Sequence, residues 1–112
     1  MLQEFSHTFT FAATGHAETQ YRVLNCGTLP GLTHTIVYVL SDSANVITGT
    51  FNLYDPHGAL LYTKAAIAKG ATTVEKQEYT FGEGWIMGFD PSGDAGVGGL
   101  TATVYIYFDD LR

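Results

Sequence analysis

Residues 45–64, NVITGTFNLYDPHGALLYTK, decide the fold class, because they form two β-rich runs joined by a tight turn. Pro56 restricts φ to the value that the second turn position needs, and Gly58 tolerates the positive φ that follows. The Asp55 carboxylate can accept hydrogen bonds from the backbone of the same turn. Residues 47, 51 and 53 before the turn fall on alternate positions, and after it residues 60 and 62 oppose 59 and 61, which is the pattern of paired strands. The sequence therefore predicts an antiparallel hairpin here.

Turn residues divide the rest of the chain into similar short runs. Alternating segments predict further strands at residues 3–11, 21–26, 32–40, 72–81, 85–89 and 100–108. The segment at 65–71 is the one place where a helical turn fits, 90–99 is predicted to be a flexible loop, and 109–112 a tail. Strands separated by turn signals about every 8–12 residues are typical of an antiparallel β-sandwich. We predict an all-β sandwich of about seven or eight strands, Ig-like or jelly-roll-like.

The alternation also predicts which side chains face the core. The first strand places Phe5, His7, Phe9 and Phe11 on one face, and the last strand is equally regular from Leu100 to Phe108. The run at 32–40 is apolar on both faces in its second half, which predicts a central strand or one that a neighbouring subunit covers. The alternation predicts that residues 32, 34, 36, 38 and 40 of this run lie on one face of the strand. Residues 33, 35, 37 and 39 are predicted to lie on the other face. The charges within 72–81 are those expected on an exposed edge strand.

Length and charge restrict the functions that are possible. A chain of 112 residues is expected to be one domain with short flexible termini, large enough to bury a core without disulfides. Charged residues make up 14% of the sequence, below the usual fraction of about 25%. Eleven acids against five scattered bases give a net charge of −6, which disfavours direct binding to nucleic acid or an anionic membrane. The sequence shows neither a signal peptide nor an apolar run of membrane-spanning length.

Catalytic and metal-binding patterns are not found. The four histidines lack metal-ligand spacing, and His7 and His34 are expected on apolar strand faces as core or interface residues. Cys26 lies beside apolar residues and is expected to be a small buried hydrophobe rather than a nucleophile. A weak calcium site at Asp90 and Asp94 is an open alternative, although this loop lacks the EF-hand pattern. The sequence predicts no enzyme activity and no cofactor.

Aromatic residues are in surplus, and they supply the candidate site. Tyrosines at alternate positions of an outward strand face present rigid apolar rings with a hydroxyl, which suits a protein interface or a sugar platform. The remaining alternative is that loops of the sandwich simply cover these tyrosines, which then bind no partner. The glycines of residues 90–99 suit a loop that becomes ordered against a partner. The candidate partner-binding residues are Tyr38, Tyr105, Tyr107, Asp90, Ser92, Asp94 and Val97.

Three segments in the later half of the chain carry a family resemblance. They are TFNLYDPHGALLYT at 50–63, EYTFGEGWIMGFDPSG at 78–93 and LTATVYIYFDD at 100–110. In pattern they resemble small, acidic β-sandwich proteins of tailed-bacteriophage virions, of the head-decoration, head-completion or neck type. The resemblance transfers no functional residue, because no motif matches position by position.

The resemblance implies a structural role with many copies docked on a capsid or on a portal and tail lattice. The expected partners are other virion proteins and copies of the chain itself. The expected location is the virion, after synthesis in the host cytoplasm. A carbohydrate-binding or adhesion module that uses the same tyrosines is the alternative.

Overall fold

The computed structural model describes residues 2–24, 31–41, 43–75 and 79–110. This part of the chain contains β-strands and no helix. The described residues form nine strands: β1 (Leu2–Phe11), β2 (Thr19–Arg22), β3 (Gly31–Leu40), β4 (Gly49–Tyr54), β5 (Leu60–Ile67), β6 (Gly70–Glu75), β7 (Thr80–Phe81), β8 (Ile86–Pro91) and β9 (Leu100–Asp110).

The strands form two antiparallel sheets. The first has the order β1-β9-β3-β6, with the two-residue β7 also pairing with β3, and the second has the order β2-β8-β4-β5. Strands from opposite ends of the sequence pair with each other, β1 with β9 and β2 with β8, so the chain folds back over its own middle. This order is that of a jelly roll. The predicted all-β antiparallel sandwich is confirmed.

The core lies between the two sheets and is rich in aromatic side chains. The first sheet contributes alternate residues of β1 and β9 to the core. The pairing of these two strands runs without a break from Leu2 opposite Asp109 to Phe11 opposite Leu100. Aromatic rings meet across the core, for example Phe9 and Phe89 with centroids 5.9 Å apart. Both of these rings are buried, so each contributes a large apolar area to stability.

The hairpin predicted from residues 45–64 is formed by β4 and β5. Asp55 Oδ1 accepts hydrogen bonds from the backbone N–H groups of His57 at 2.8 Å and Ala59 at 2.9 Å, and Gly58 has φ +89°. The Ala59 N–H, followed by the His57 N–H, holds the pKa of Asp55 below its usual value. The turn is therefore stabilised by its own residues.

Two local predictions were wrong. Residues 65–71 form no helical turn, since β5 extends to Ile67 and β6 begins at Gly70. Sheet pairing with β4 and β3 supplies backbone hydrogen bonds that one isolated helical turn cannot match. Asp109 and Asp110 are not a tail, because β9 continues through them and pairs with both neighbouring strands.

The faces of β3 change at a bulge. The pairing of β3 with β9 shifts between Thr33 and Thr35, so Thr33 is buried while Leu32 and His34 are exposed. His34 therefore does not lie on the apolar face predicted for it, because a bulge moves the side chains before it to the opposite face. The prediction that β3 is central is correct, since it lies between β9 and β6. Cys26 lies outside the described residues.

Candidate partner-binding surfaces

Tyr105 and Tyr107 lie side by side on the outer face of the first sheet, as predicted. Tyr105 pairs with Ser6 of β1 and Val37 of β3, so it sits near the middle of the sheet. Both tyrosines are half-buried by their neighbours. Partial burial, followed by the nearby Glu4 carboxylate, raises the pKa of Tyr107. The two phenol rings are therefore held in place on an accessible surface.

Most of the outer positions around these tyrosines are uncharged. Val39 is 38% exposed, and the hydroxyls of Thr8 and Thr103 lie 2.9 Å apart, bridging β1 and β9. Two acids lie at one end of this region, since Glu4 of β1 pairs with Tyr107 and Asp109 is two positions farther along β9. We name it the threonine–tyrosine face; its members are Ser6, Thr8, Thr10, Thr35, Val37, Val39, Thr101, Thr103, Tyr105 and Tyr107.

Tyr38 does not belong to this face. It is fully buried, and its ring packs on Phe51 with centroids 5.3 Å apart. Its hydroxyl has no hydrogen-bond partner in the described part of the chain. Burial, followed by the neighbouring Tyr62 hydroxyl, raises the pKa of Tyr38. The placement of Tyr38 on an accessible surface is thus corrected, because Tyr38 pairs with the inward-facing Val104 of β9 and so lies on the core face of β3. A partner on this face would meet Val37 and Val39 instead.

Ser92 and Asp94 lie in a loop that hydrogen bonds attach to the body of the protein. Ser92 Oγ accepts a hydrogen bond from the Thr48 N–H at 2.9 Å. Asp94 Oδ1 accepts one from the Gly15 N–H at 2.9 Å and lies 3.1 Å from His16 Nδ1. The His16 side chain, followed by the Gly15 N–H, lowers the pKa of Asp94. The loop is therefore attached to two others, around residues 13–16 and 45–48.

The same end of the sandwich displays two exposed valines. Val97, a predicted site residue, is 89% exposed, and Val46 is 90% exposed. Asn45 joins their loops, because its backbone N–H donates to Ala95 O and its side-chain amide donates to Asp94 O, each at 2.9 Å. We name this region the valine end. Sequence inspection missed Val46, because the hydrogen bonds that join its loop to the other one are made by Asn45 and span about half of the chain.

Asp90 belongs to a different surface. It is part of β8 rather than of the loop, and it lies opposite Thr50 in the second sheet. The described residues include no group of three histidine, cysteine or acidic side chains placed to hold a metal ion. The candidate residues are therefore distributed over three places: the threonine–tyrosine face, the valine end and the outer face of the second sheet. Tyr38 lies on none of them.

A polar network on the outer face of the second sheet centres on Glu18. The Tyr54 hydroxyl donates to the Glu18 carboxylate and lies 2.8 Å from both of its oxygens. Gln20 Nε2, at 3.2 Å, and Asn52 Nδ2, at 3.4 Å, donate to the same carboxylate. Gly88 makes room for it, since a Cβ added there would come within 2.5 Å of Glu18 Oε2. Sequence inspection had no signal for this network, because its members come from the segment 18–20 and from β4, which are distant in sequence.

The Glu18 network predicts a measurable change at Tyr54. Burial, followed by the Glu18 hydrogen bond, raises the pKa of the Tyr54 phenol. Glu18→Gln removes the negative charge that opposes ionisation of the phenol, so the Tyr54 pKa should fall toward its ordinary value. An NMR titration of labelled tyrosine rings measures this shift. Gln20→Ala is the control and should not lower the pKa, because the Gln20 amide stabilises the ionised phenol; a Tyr54 pKa unchanged in Glu18→Gln contradicts the network.

None of the described residues forms a helix long and apolar enough to cross a membrane. No protein-family model matches the sequence, and no curated protein matches it. Several solved structures are similar in fold. The low-affinity xylan-binding module CBM86 of the gut symbiont Roseburia intestinalis is 10% identical, with a TM-score of 0.55 over 97% of this chain and 89% of that one. This likeness shows the fold alone.

Two structures of phage origin superpose less closely. The SPBc2 prophage-derived protein YomS is 14% identical, with a TM-score of 0.43 over 93% of this chain and 94% of that one. A chain in the acid-stable capsid of the Helicobacter pylori bacteriophage KHP30 is 10% identical, with a TM-score of 0.42 over 97% and 94% of the two chains. At these TM-scores neither structure bears on the function of this chain.

Proposed function

We propose that this chain is a non-enzymatic structural protein of a bacteriophage virion. It binds other capsid or neck and tail proteins, and so decorates or stabilises the particle. The observation that carries the proposal is the threonine–tyrosine face, which combines two tyrosine rings, accessible valines and hydroxyls, with charges only at the end beside Tyr107. The central part of a protein interface is depleted in charge and enriched in tyrosine in the same way.

The energetics of this face favour a protein partner. Burying hydroxyls and rings costs little when the hydroxyls bond across the interface, whereas burying an unpaired charge costs several kcal/mol. Tyr105 and Tyr107 are suited to act as anchors, because each presents a large ring already restrained by its neighbours. The valine end supplies a second apolar contact, with Val46 and Val97 almost fully exposed on attached loops.

The charge on the rest of the surface is consistent with the proposed location in the virion. The net charge of −6 lies mainly outside the threonine–tyrosine face, and it disfavours direct contact with packaged nucleic acid. The proposed partners are therefore virion proteins, namely capsid, portal or neck and tail proteins, together with further copies of the chain. The proposed location is the virion, after synthesis in the host cytoplasm.

Reconstitution tests the proposal. Particles assembled without the chain should bind the purified protein in a saturable manner, and binding should require the threonine–tyrosine face. Cosedimentation of the protein with such particles measures this. Absence of saturable binding to the particle and to its separated capsid, portal and tail components would contradict the proposal.

A carbohydrate-binding or adhesion module is the second candidate, and the Glu18 network favours it. Carboxylate, amide and phenol groups held on one sheet face are the types of group that bond sugar hydroxyls. The xylan-binding module mentioned above shares the fold, so a sandwich of this kind can support such a site. Affinity electrophoresis with xylan and other polysaccharides tests this candidate. Polysaccharide binding that is abolished in the Gln20→Ala with Asn52→Ala variant would favour this candidate. Loss of polysaccharide binding in the Tyr105→Ala with Tyr107→Ala variant would favour it as well.

A further inference from the structure

Strand β1 is a long edge strand without the features that usually prevent pairing. It has ten residues, and no other strand in the described part of the chain pairs with its outer edge. Its register with β9 is continuous, so no bulge interrupts it. It contains no proline, lysine or arginine, and Glu4 is its only charge. A long, regular and exposed edge of this kind is a template for another strand.

The other three edges are short or irregular. Strand β2 has only four residues. Strand β5 shifts register against β4 in two places and contains Ala66 at φ +58°. Strand β6 has six residues, ends at Glu75, and is followed along β3 by the separate two-residue β7. Short edges, bulges and terminal charges are the means by which proteins prevent edge pairing, and β1 has none of them apart from the single charge of Glu4.

We infer that β1 pairs antiparallel with β1 of a second copy of this chain, about a two-fold axis at Ser6. The first sheets of the two copies then form one continuous sheet. A two-fold axis perpendicular to this sheet keeps the aromatic faces of the two copies on the same side. In that arrangement, the residue at the axis lies opposite the same residue of the second copy. The pairing uses the backbone edge of β1, whereas the threonine–tyrosine face is formed by outward side chains, including that of Ser6, so the inference does not depend on the proposed function.

The half-covered aromatic side chains of β1 select Ser6 as the axis. Phe9 and Phe11 are buried, but Phe5 and His7 are only partly covered, stacking on Tyr21 with centroids 6.2 and 3.9 Å away. With Ser6 at the axis, Phe5 opposes His7 of the second copy, and His7 opposes its Phe5. Each half-covered ring then gains an aromatic cross-strand partner, a type of pair that stabilises sheets.

Charge also permits this register. Glu4 is exposed and opposes Thr8 of the second copy, so the two Glu4 carboxylates lie about 13 Å apart along the strand direction. The strands therefore bring no like charges into direct opposition, which would be destabilising. The two chains still repel each other through their net charges of −6, so added salt should strengthen the pairing by screening this repulsion.

Disulfide trapping tests the register directly. In a Cys26→Ser background, Ser6→Cys places two thiols opposite each other, with Cα atoms about 5 Å apart, within the disulfide range of about 4.4–6.8 Å. Mild oxidation should convert most of this variant to a covalent dimer of twice 12.1 kDa. The matched control is Thr10→Cys, which is also exposed on β1, but its two copies would lie about 26 Å apart and should stay monomeric.

Two further measurements complete the test, and the first of them uses the chain with its native residues. Raising the protein concentration should slow hydrogen exchange at alternate amides of β1, those that point away from β9, at least ten-fold. The Tyr105→Ala with Tyr107→Ala variant should cross-link through Ser6→Cys as before, which separates this inference from the proposed function. Equal cross-linking at positions 6 and 10, or β1 exchange that is independent of concentration, would overturn the inference.

Discussion

Replacing Gly99 with alanine should destabilise the protein by about 3 kcal/mol, the largest effect on stability among the variants that we propose. Gly99 has φ +70°, in the left-handed region that costs other residues about 1–2 kcal/mol. In addition, a Cβ there would collide with the backbone carbonyl oxygen of Phe11. This oxygen belongs to the end of β1, so it cannot move without disturbing the pairing of Phe11 with Leu100. Urea unfolding followed by circular dichroism measures the loss.

Gly98→Ala separates the two contributions. Gly98 has φ +91°, but a Cβ there would meet no atom within 4 Å, so only the backbone strain applies. Its cost should be about 1–2 kcal/mol. Equal losses of stability in Gly98→Ala and Gly99→Ala would show that the collision with the Phe11 carbonyl oxygen contributes nothing to the cost at Gly99.

Replacing Tyr105 and Tyr107 together with alanine should weaken partner binding about a thousand-fold, the largest functional effect that we expect. Interface anchors of this type contribute about 2 kcal/mol or more each, and two of them would contribute about 4 kcal/mol. The fold should persist, because the inward residues of β9 that flank them, Val104, Ile106 and Phe108, form the buried side of the strand. Cosedimentation of the variant with particles that lack the chain measures the affinity.

Two variants on the same strand serve as controls. Tyr105→Phe with Tyr107→Phe keeps both rings and should retain most of the affinity, because ring burial dominates the contribution of such anchors. Thr101→Ala lies on the same face, farther from the tyrosines, and should bind almost as the native chain does. If the alanine double variant binds particles with native affinity, the threonine–tyrosine face is not the docking surface.

The strands and turns could be predicted from the sequence where residues close together in the chain determine the local structure. The turn at Asp55 uses only residues within the turn, and its hydrogen bonds match the prediction. The alternation of β9 places Tyr105 and Tyr107 outward because its pairing with β1 is continuous. In such segments the period-two pattern is enough to assign each side chain to a face.

The failures have a common physical cause, namely interactions between distant parts of the chain. The bulge near Thr33 reverses the faces of β3 at its start, which exposes His34. The loop that contains Val97 was expected to be flexible, but its hydrogen bonds reach residues around Gly15 and Asn45. No periodicity in one segment encodes such contacts, because they depend on which strands become neighbours.

The most direct test of the proposed function is a measurement of copy number in virus particles produced by the genome that encodes this chain. Quantitative mass spectrometry of highly purified particles would determine the ratio of this chain to the capsid and portal proteins. We predict a fixed ratio that is reproducible between preparations and resistant to salt washing. Absence of the chain from the particles, together with polysaccharide binding by the isolated protein, would contradict the virion role and support the carbohydrate-binding alternative.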